Sequence, residues 1–261
     1  MADYIEGKRP IIEAIRVGVP IARIMIADNL HQDQMVGDIL RKAKQRDIRV
    51  DKVPRKKLDD ISVRDSHQGV IAETKPFGYV GVGEVIDAAG KYADEHDGRA
   101  LVVLLDHITD AGNLGAIIRS AESVGACGVV IPNKRSAHVD AATYKSSAGA
   151  VAHMLVAQTS NIVQAIKRLQ DAGFWVAAAS EHAEGEIWDV NLKGKIAIVM
   201  GNEHDGVSRL VLERCDMFGR LPMMGEVSSL NVAQASTVFM YEWLRQNRPQ
   251  GGFHAQAAPQ V

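Results

Sequence analysis

The strongest constraint on the fold is an alternation of apolar runs with amphipathic segments over residues 100–246. Residues 101–105 form an uninterrupted apolar run, which suits a strand that is buried on both faces. Residues 113–124 follow, with apolar side chains at helical spacing. Further strands are predicted at 128–131, 174–179, 196–200 and 217–221, and further helices at 162–172, 207–215 and 230–246. This alternation predicts an α/β fold with a mainly parallel sheet that helices cover.

Residues 1–75 predict a second, smaller α/β unit. Its predicted elements are strands at 21–27, 48–53 and 68–73 and helices at 10–17 and 35–46. A segment rich in Gly, with one Pro, at 75–83 interrupts this pattern before a short predicted helix at 84–92. We therefore expect four regions along the chain: a small domain at 1–76, a linker at 77–99, a larger domain at 100–247 and a disordered tail at 248–261.

The composition excludes several classes of protein. The 261 residues are 46% hydrophobic and 24% charged, which is typical of globular chains and unlike disordered or fibrous ones. No apolar run approaches the ~20 residues that span a bilayer, and no signal-peptide pattern is evident. Two cysteines, Cys127 and Cys215, are too few for a disulfide framework or a Cys-rich zinc site. We expect a soluble, cytoplasmic protein with no membrane partner.

Positive charge is concentrated in the N-terminal part of the chain. Residues 1–76 contain 15 Lys and Arg against 12 Asp and Glu, although the whole chain has a net charge of −2. Nine basic residues lie within 41–57, and the acidic residues there are Asp47 and Asp51. Such a stretch suits contact with nucleic-acid phosphates, and a solvated helix face followed by a basic loop is the alternative. The candidate RNA-binding side chains are Arg41, Lys42, Arg55, Lys56 and Lys57.

Three segments that follow predicted strands are rich in Gly and polar residues, at 106–119, 201–209 and 221–231. Ligands of open parallel sheets bind outside the carboxyl ends of the strands, which makes these segments the candidate site. Ordinary glycine-rich turns would account for each segment taken alone. The glycines at 112 and 115 lack the spacing of a dinucleotide-binding loop, and no P-loop occurs. A nicotinamide-dependent dehydrogenase is therefore disfavoured, and the scattered histidines predict no metal site.

Taken together, the three segments carry a recognisable pattern. The sequences NLGAIIR at 113–119, IVMGNE at 198–203 and LPMMGEVSSLNVA at 221–233 resemble the three signature motifs of the SpoU (SPOUT superfamily) RNA ribose 2′-O-methyltransferases. EGKRPIIEAI at 6–15 and SHQGVIA at 66–72 resemble that family's small, L30e-like substrate-binding domain. The resemblance covers about residues 4–246. It is strongest to the bacterial subgroup that methylates a guanosine ribose of 23S rRNA.

The resemblance implies a fold and a cofactor that composition and periodicity do not reveal. It implies a C-terminal trefoil knot that binds S-adenosylmethionine, in a homodimer to which the last helix commonly contributes. Apolar side chains in that pocket can enclose a purine while backbone groups contact its edge. Without the resemblance, core packing would be the preferred explanation of the leucines. The implied cofactor-binding residues are Gly201, Leu221, Leu230, Met223, Ala179 and Ser180.

The resemblance also implies a set of residues around the reacting ribose. Arg119 matches the motif arginine that is proposed to activate the 2′-hydroxyl. A guanidinium normally stays protonated, so we expect Arg119 to anchor a phosphate and stabilise the developing alkoxide. Asn113 and Ser229 have an alternative role, since both are residue types that cap helices. The implied catalytic residues are Arg119, Asn113, Glu203, Ser229 and Asn231.

Several targets and one inactive alternative remain open at this point. A guanosine of 23S rRNA leads, and a tRNA guanosine or an rRNA adenosine follows. An RNA-binding ribosome-assembly protein that has lost catalysis is the non-enzymatic alternative, against which the intact Arg119, Glu203 and Asn231 argue.

Overall fold

The computed structural model describes residues 4–62, 67–202, 205–227 and 229–248. The chain divides into two compact units. The first unit comprises Met1–Gly78, Ala111–Arg119 and His138–His153, and the second comprises Tyr79–Asp110, Ser120–Ala137 and Met154–Val261. Each unit is described by itself below.

The N-terminal part of the first unit is a small four-stranded sheet with three helices. Its elements are β1 (Tyr4–Glu6), α1 (Lys8–Arg16), β2 (Ile21–Ala27), α2 (Gln34–Gln45), β3 (Arg49–Val53), α3 (Arg55–Ile61) and β4 (Val70–Thr74). The strand order is β1-β4-β2-β3, in which only β2 and β3 pair in parallel. The core between sheet and helices includes Met25, Leu58 and Ile71, all fully buried. Asp33 caps α2 by accepting a hydrogen bond of 2.9 Å from the Val36 N–H.

The rest of the chain supplies the larger sheet. Its elements are α4 (Val82–Glu95), β5 (Ala100–Asp106), α5 (Ala111–Ser123), β6 (Gly128–Pro132), α6 (Ala141–Ser146), β7 (Val156–Thr159), α7 (Ile162–Asp171), β8 (Trp175–Ala179), β9 (Lys195–Gly201), α8 (Arg209–Leu212), β10 (Met217–Gly219) and α9 (Val232–Gln246). The six strands β10-β8-β9-β5-β6-β7 form the sheet of the second unit, and every neighbouring pair is parallel. The prediction of an α/β fold with a mainly parallel sheet is confirmed.

Buried apolar strands explain why this sheet was predictable. β5 is buried at every position, as its apolar run indicates for a strand covered on both faces. β6, β8, β9 and α7 lie within one or two residues of their predicted bounds. Four described elements were not predicted, and each is short or poor in apolar residues: β1, α3, α6 and β7.

The segment that was expected to be a linker, residues 77–99, contains the 14-residue helix α4. Val82, Val85, Ala89 and Ala93 on α4 are buried in the core of the second unit. A helix with four side chains in the core is part of a folded unit. α4 is longer at both ends than the helix that was predicted at 84–92. Most of the tail predicted at 248–261 lies outside the described residues. No helix among the described residues has the length and apolar character needed to cross a membrane.

Candidate active site

The carboxyl ends of β8 and β10 adjoin in the second unit. Ala179 pairs with Gly219, and the Ser180 N–H donates a hydrogen bond of 3.1 Å to the Gly219 carbonyl. Leu221 follows two residues after Gly219 and is half-buried. Ala179 and Ser180 therefore lie where the segment 220–231 begins. Three of the six residues implied for the cofactor pocket therefore lie at the carboxyl ends of β8 and β10.

Gly201 ends β9 at the same edge, where it pairs with Asp106 of β5. A Cβ atom at position 201 would lie 2.0 Å from the Gly206 carbonyl carbon and 2.1 Å from the Val207 nitrogen. Asn202 and Gly206 exchange two backbone hydrogen bonds of 3.0 Å, which fold the loop back against Gly201. Only glycine fits there without moving the backbone. Glu203, in the same loop, lies outside the described residues.

The segment 221–231 presents apolar side chains to solvent. Met223 is 37% exposed, Leu230 is 43% exposed and Met224 is 97% exposed. Ser229 is exposed as well. The alternative interpretation of Leu230 as a core residue is therefore wrong. Adjacent exposed apolar side chains are typical of a surface that binds a ligand or a partner.

Asn231 is the N-cap of α9. Its side chain accepts a hydrogen bond of 2.9 Å from the Ala233 N–H. The alternative role of Ser229 as the cap of this helix is wrong, because α9 begins at Val232. Phe239 and Trp243 are buried within this single chain, so they belong to its own core.

Asn113 and Arg119 belong to the first unit, on α5. Asn113 is the third residue of the helix, because α5 begins at Ala111. Its alternative role as an N-cap is therefore wrong. Arg119 is exposed, whereas the preceding Ile117 and Ile118 are fully buried.

The N-terminal half of α5 lies directly against α6. A Cβ atom at Gly115 would lie 2.6 Å from the Thr143 carbonyl oxygen and 2.9 Å from the Ser147 nitrogen. The Ser146 hydroxyl donates a hydrogen bond of 3.3 Å to the Ala111 carbonyl. This close approach explains why a glycine occupies the middle of the motif NLGAIIR.

The segment after α6 in turn contacts the N-terminal part of the first unit. Gly149 has a φ of +90°, and a Cβ atom there would lie 2.8 Å from the Val17 carbonyl oxygen. Phe77 and Tyr144 pack edge to face, with ring centroids 6.5 Å apart. The stretch of α5 that carries Asn113 and Arg119 is thus connected through α6 to the small domain.

The predicted RNA-binding side chains lie on two helices of that domain. Arg41, on α2, is exposed and ion-paired with Asp38, while Lys42 is half-buried. Arg55, Lys56 and Lys57 form the first turn of α3 and are all exposed. Their role in binding RNA stays a prediction.

One buried carboxylate at the sheet edge was missed at the level of sequence. Asp106, at the end of β5, is only 2% exposed. Its Oδ1 lies 2.7 Å from His107 Nδ1, and its Oδ2 accepts a hydrogen bond of 2.8 Å from the Ser208 N–H. The Asn202 amide donates to the His107 carbonyl at 3.1 Å, which fixes the same loop a second time. The sequence does contain a signal for this carboxylate, because Asp106 directly follows the apolar run at 101–105.

The second unit has the parallel sheet of α/β proteins that bind ligands at the carboxyl edge, and its glycine-bearing loops adjoin at that edge. The chain belongs to the SpoU rRNA methylase family, whose model matches residues 100–241. A second model, described as RNA 2′-O ribose methyltransferase substrate binding, matches residues 4–80. The family expected from the motifs is confirmed.

Similar proteins are found over nearly the whole chain. A Staphylococcus aureus protein, named for the TrmH family of tRNA/rRNA methyltransferases, is 36% identical over 247 residues, which are 95% of this chain and 97% of the relative. A Bacillus subtilis protein of the same description, YacO, is 34% identical over 249 residues, with 95% and 98% covered. The crystal structure of the SpoU methyltransferase AviRb from Streptomyces viridochromogenes, in complex with AdoMet, shares the fold with a TM-score of 0.68 and 24% identity, covering 94% of this chain and 90% of AviRb.

Proposed function

We propose that this protein transfers a methyl group from S-adenosylmethionine to a ribose 2′-hydroxyl of structured RNA, with a guanosine of 23S rRNA as the first candidate target. Membership of the SpoU family supports RNA methylation, and the substrate-binding domain at residues 4–80 supports the ribose 2′-hydroxyl as acceptor. The complex of AviRb with AdoMet supports the choice of cofactor. A tRNA guanosine and an rRNA adenosine are the alternative targets.

The observation that carries the proposal is the match of the SpoU family model to residues 100–241, which include the loop that packs against Gly201. A methionine-linked nucleoside needs both apolar surface and peptide groups from exposed loops. The exposed Met223 and Leu230 offer the apolar surface. The loops after Ala179 and Gly201 offer the peptide groups. The residues of this chain therefore fit S-adenosylmethionine. When bound, the cofactor supplies a methyl group on a sulfonium centre that is activated for displacement.

Residues of the chain then have to hold the ribose and to balance charge as its hydroxyl loses a proton. We assign Arg119 the role of phosphate anchor and alkoxide stabiliser, because a guanidinium donates hydrogen bonds and stays protonated. The proton passes to a substrate phosphate or to water. Asn113, Glu203, Ser229 and Asn231 orient the target nucleotide or Arg119. Alignment of the two reacting atoms supplies much of the rate acceleration.

The remaining expectations belong to the same proposal. The basic side chains on α2 and α3 grip folded RNA through its phosphates, which makes binding dependent on salt. The cofactor pocket lies in a trefoil knot, and the site is completed in a homodimer. Recognition of the 2′-hydroxyl separates RNA from DNA.

The test is a transfer assay with labelled S-adenosylmethionine and unmodified transcripts of 23S rRNA and tRNA. We expect label in one nucleotide, resistant to alkali because its 2′-oxygen is methylated. Mass spectrometry of RNA from a strain that lacks the gene would identify the missing ribose methyl group. Transfer to none of the cellular RNAs would reject the proposal. Calorimetry that detects no cofactor binding would favour the catalytically silent alternative.

A further inference from the structure

A cavity of about 450 Å³ opens at the carboxyl edge of the second unit's sheet, where β5, β6 and β7 end. Its wall includes Asp106 at the end of β5, Pro132 at the end of β6 and Ser160 just after β7. This volume falls in the range of small-molecule sites and admits about one nucleotide unit. Of the residues assigned above to the cofactor or to catalysis, none that the structure describes lines it.

Two adjacent cations dominate one side of the cavity. Lys134 and Arg135 follow β6, and both are exposed. Among the residues that the structure describes, neither forms an ion pair. An exposed Arg–Lys pair without carboxylate partners is suited to an anion, and the planar guanidinium matches two oxygens of a phosphate group.

The backbone at the cavity wall is held in an unusual conformation. Arg135 has a φ of +53° and His107 a φ of +62°, in the left-handed region that favours glycine. Non-glycine residues persist in such conformations when the surrounding structure holds them, and they are enriched at ligand sites.

The negative charge in the described part of the cavity wall already has hydrogen-bond partners. Asp106 is its one carboxylate, and it bonds to His107 at 2.7 Å and to the Ser208 N–H at 2.8 Å. Two cations therefore face a single compensated carboxylate, which leaves the wall positive.

The start of α7 adds donors and a positive potential. Ile162 and Val163, the first two residues of this ten-residue helix, line the cavity. Their N–H groups have no acceptor within the helix, and the helix dipole is positive at this end. Leu210, 69% exposed, supplies an apolar rim that suits the face of a base or ribose.

We propose that this cavity binds a phosphodiester group of the RNA substrate, with Lys134 and Arg135 as its cationic ligands. The inference rests on the proposed function for the identity of the anion as RNA. The site would grip the substrate strand next to the loop that closes on Gly201, because Ser208 of the cavity wall directly follows Val207 of that loop.

The test compares RNA binding by the full-length protein and by the double variant Lys134→Gln/Arg135→Gln, with an unmodified 23S rRNA transcript as probe. We expect binding about tenfold weaker, and a slope of log K against log salt that is smaller by about one, because the contact with one phosphate is lost. The matched control is Lys91→Gln/Lys193→Gln, which removes two exposed lysines of the same unit that do not line this cavity. The control should bind as the wild type does.

Separate measurements distinguish the possible failures. S-adenosylmethionine affinity by calorimetry and thermal unfolding should be unchanged in the double variant, so a folding defect would be recognised. Wild-type affinity and salt slope in the double variant would overturn the inference. Inorganic phosphate and a nucleoside monophosphate serve as competitors. If either one binds at micromolar concentration and binding depends on Lys134 and Arg135, the ligand of the cavity is a small anion and not RNA. Failure of the proposed function would appear instead as absence of methyl transfer by the wild type.

Discussion

Ser120 Oγ and Thr237 Oγ1 lie 2.7 Å apart and share a hydrogen bond that joins α5 to α9. The Thr237 hydroxyl also donates to the Ala233 carbonyl at 2.8 Å, so Ser120 is the donor of the shared bond. Ser120 directly follows Arg119, and Thr237 lies in the second turn of the helix that Asn231 caps. The bond therefore joins two parts of the second unit, the C-terminal turn of α5 and the second turn of α9.

Loss of this bond should cost measurable stability. We expect Ser120→Ala to lower the free energy of unfolding by about 0.5–1.5 kcal/mol, since a part-buried hydrogen bond is lost. Urea unfolding followed by circular dichroism measures the change. Thr237→Ser keeps the acceptor hydroxyl and serves as the control for the bond. Equal stability of Ser120→Ala and the wild type would show that the bond contributes nothing.

Gly201 offers a sharper test of the loop that it contacts. In Gly201→Ala the new methyl group would lie 2.0 Å from the Gly206 carbonyl carbon, so backbone must move. We expect a loss of about 3 kcal/mol in the free energy of unfolding and a large loss of S-adenosylmethionine affinity by calorimetry. Gly90→Ala is the control, because no atom lies within 4 Å of a Cβ there.

The control should in fact be stabilised. Gly90 lies inside α4, where alanine is favoured over glycine by about 0.5–1 kcal/mol. A Gly201→Ala variant that binds cofactor as the wild type does would contradict the tight packing of this loop.

The sequence predicted the large sheet well and its small elements poorly, for a physical reason. β5 and β9 are buried along almost their whole length, so burial and local composition agree. β7 and α3 depend on tertiary contacts, since α3 has Leu58 as its single buried side chain and β7 is four residues long. Elements of this kind give no periodic signal.

The motifs of the candidate site could be found in the sequence, but the contacts between their residues could not be predicted from it. The contact of Gly201 with Gly206 and the bonds of Asp106 to His107 and Ser208 depend on loops that fold back across the sheet edge. The position of Asn113 was misjudged because asparagine favours caps, whereas α5 begins two residues earlier, at Ala111.

A buried carboxylate on α9 should make stability depend on acid. Glu242 accepts hydrogen bonds from Arg245, at 2.8 Å to each oxygen, and from Gln246 at 2.7 Å. The Arg245 guanidinium lowers the pKa of Glu242 below its ordinary 4.5. This stability is present above pH 4.5 and is lost as the pH falls through the lowered pKa.

The variant Glu242→Gln tests whether the Glu242 carboxylate causes this dependence of stability on pH. We expect the variant to be less stable at pH 7 and to lose less stability than the wild type between pH 5 and about pH 3, measured by urea unfolding at each pH. Glu213→Gln, which removes an exposed partner of Arg209, is the control and should follow the wild type. A parallel loss in Glu242→Gln and the wild type would assign the acid sensitivity to other groups.

Both thiols should be unreactive in the folded protein. Burial raises the pKa of Cys127 to about 11 and that of Cys215 to about 12. At pH 8 the thiolate fraction is therefore very small, and access is restricted. We expect Ellman's reagent to titrate neither thiol quickly in the native state and both in guanidinium chloride. Fast reaction of Cys127 in the native protein would contradict the burial of its thiol against the core.

Arg119 is where the chemical role of this chain can be tested directly. As a phosphate anchor and alkoxide stabiliser it should be worth about 10²–10³ in kcat, so Arg119→Gln should lose that factor in the methyl-transfer assay. Arg119→Lys should recover part of it, because an ammonium keeps the positive charge without the two-pronged contact. Arg16→Gln is the control, since Arg16 is another exposed arginine of the first unit and pairs with Glu13.

The pH profile separates an anchor from a base. If Arg119 accepted the proton, replacement by Lys would move the pH at which the rate rises, because the two side chains release protons at different pH. We expect the profiles of the wild type and Arg119→Lys to differ in height and to keep the same midpoint, since an anchor supplies positive charge and hydrogen bonds and does not take the proton. A shifted midpoint, with S-adenosylmethionine affinity unchanged, would make Arg119 the proton acceptor and would require its surroundings to stabilise a neutral guanidine.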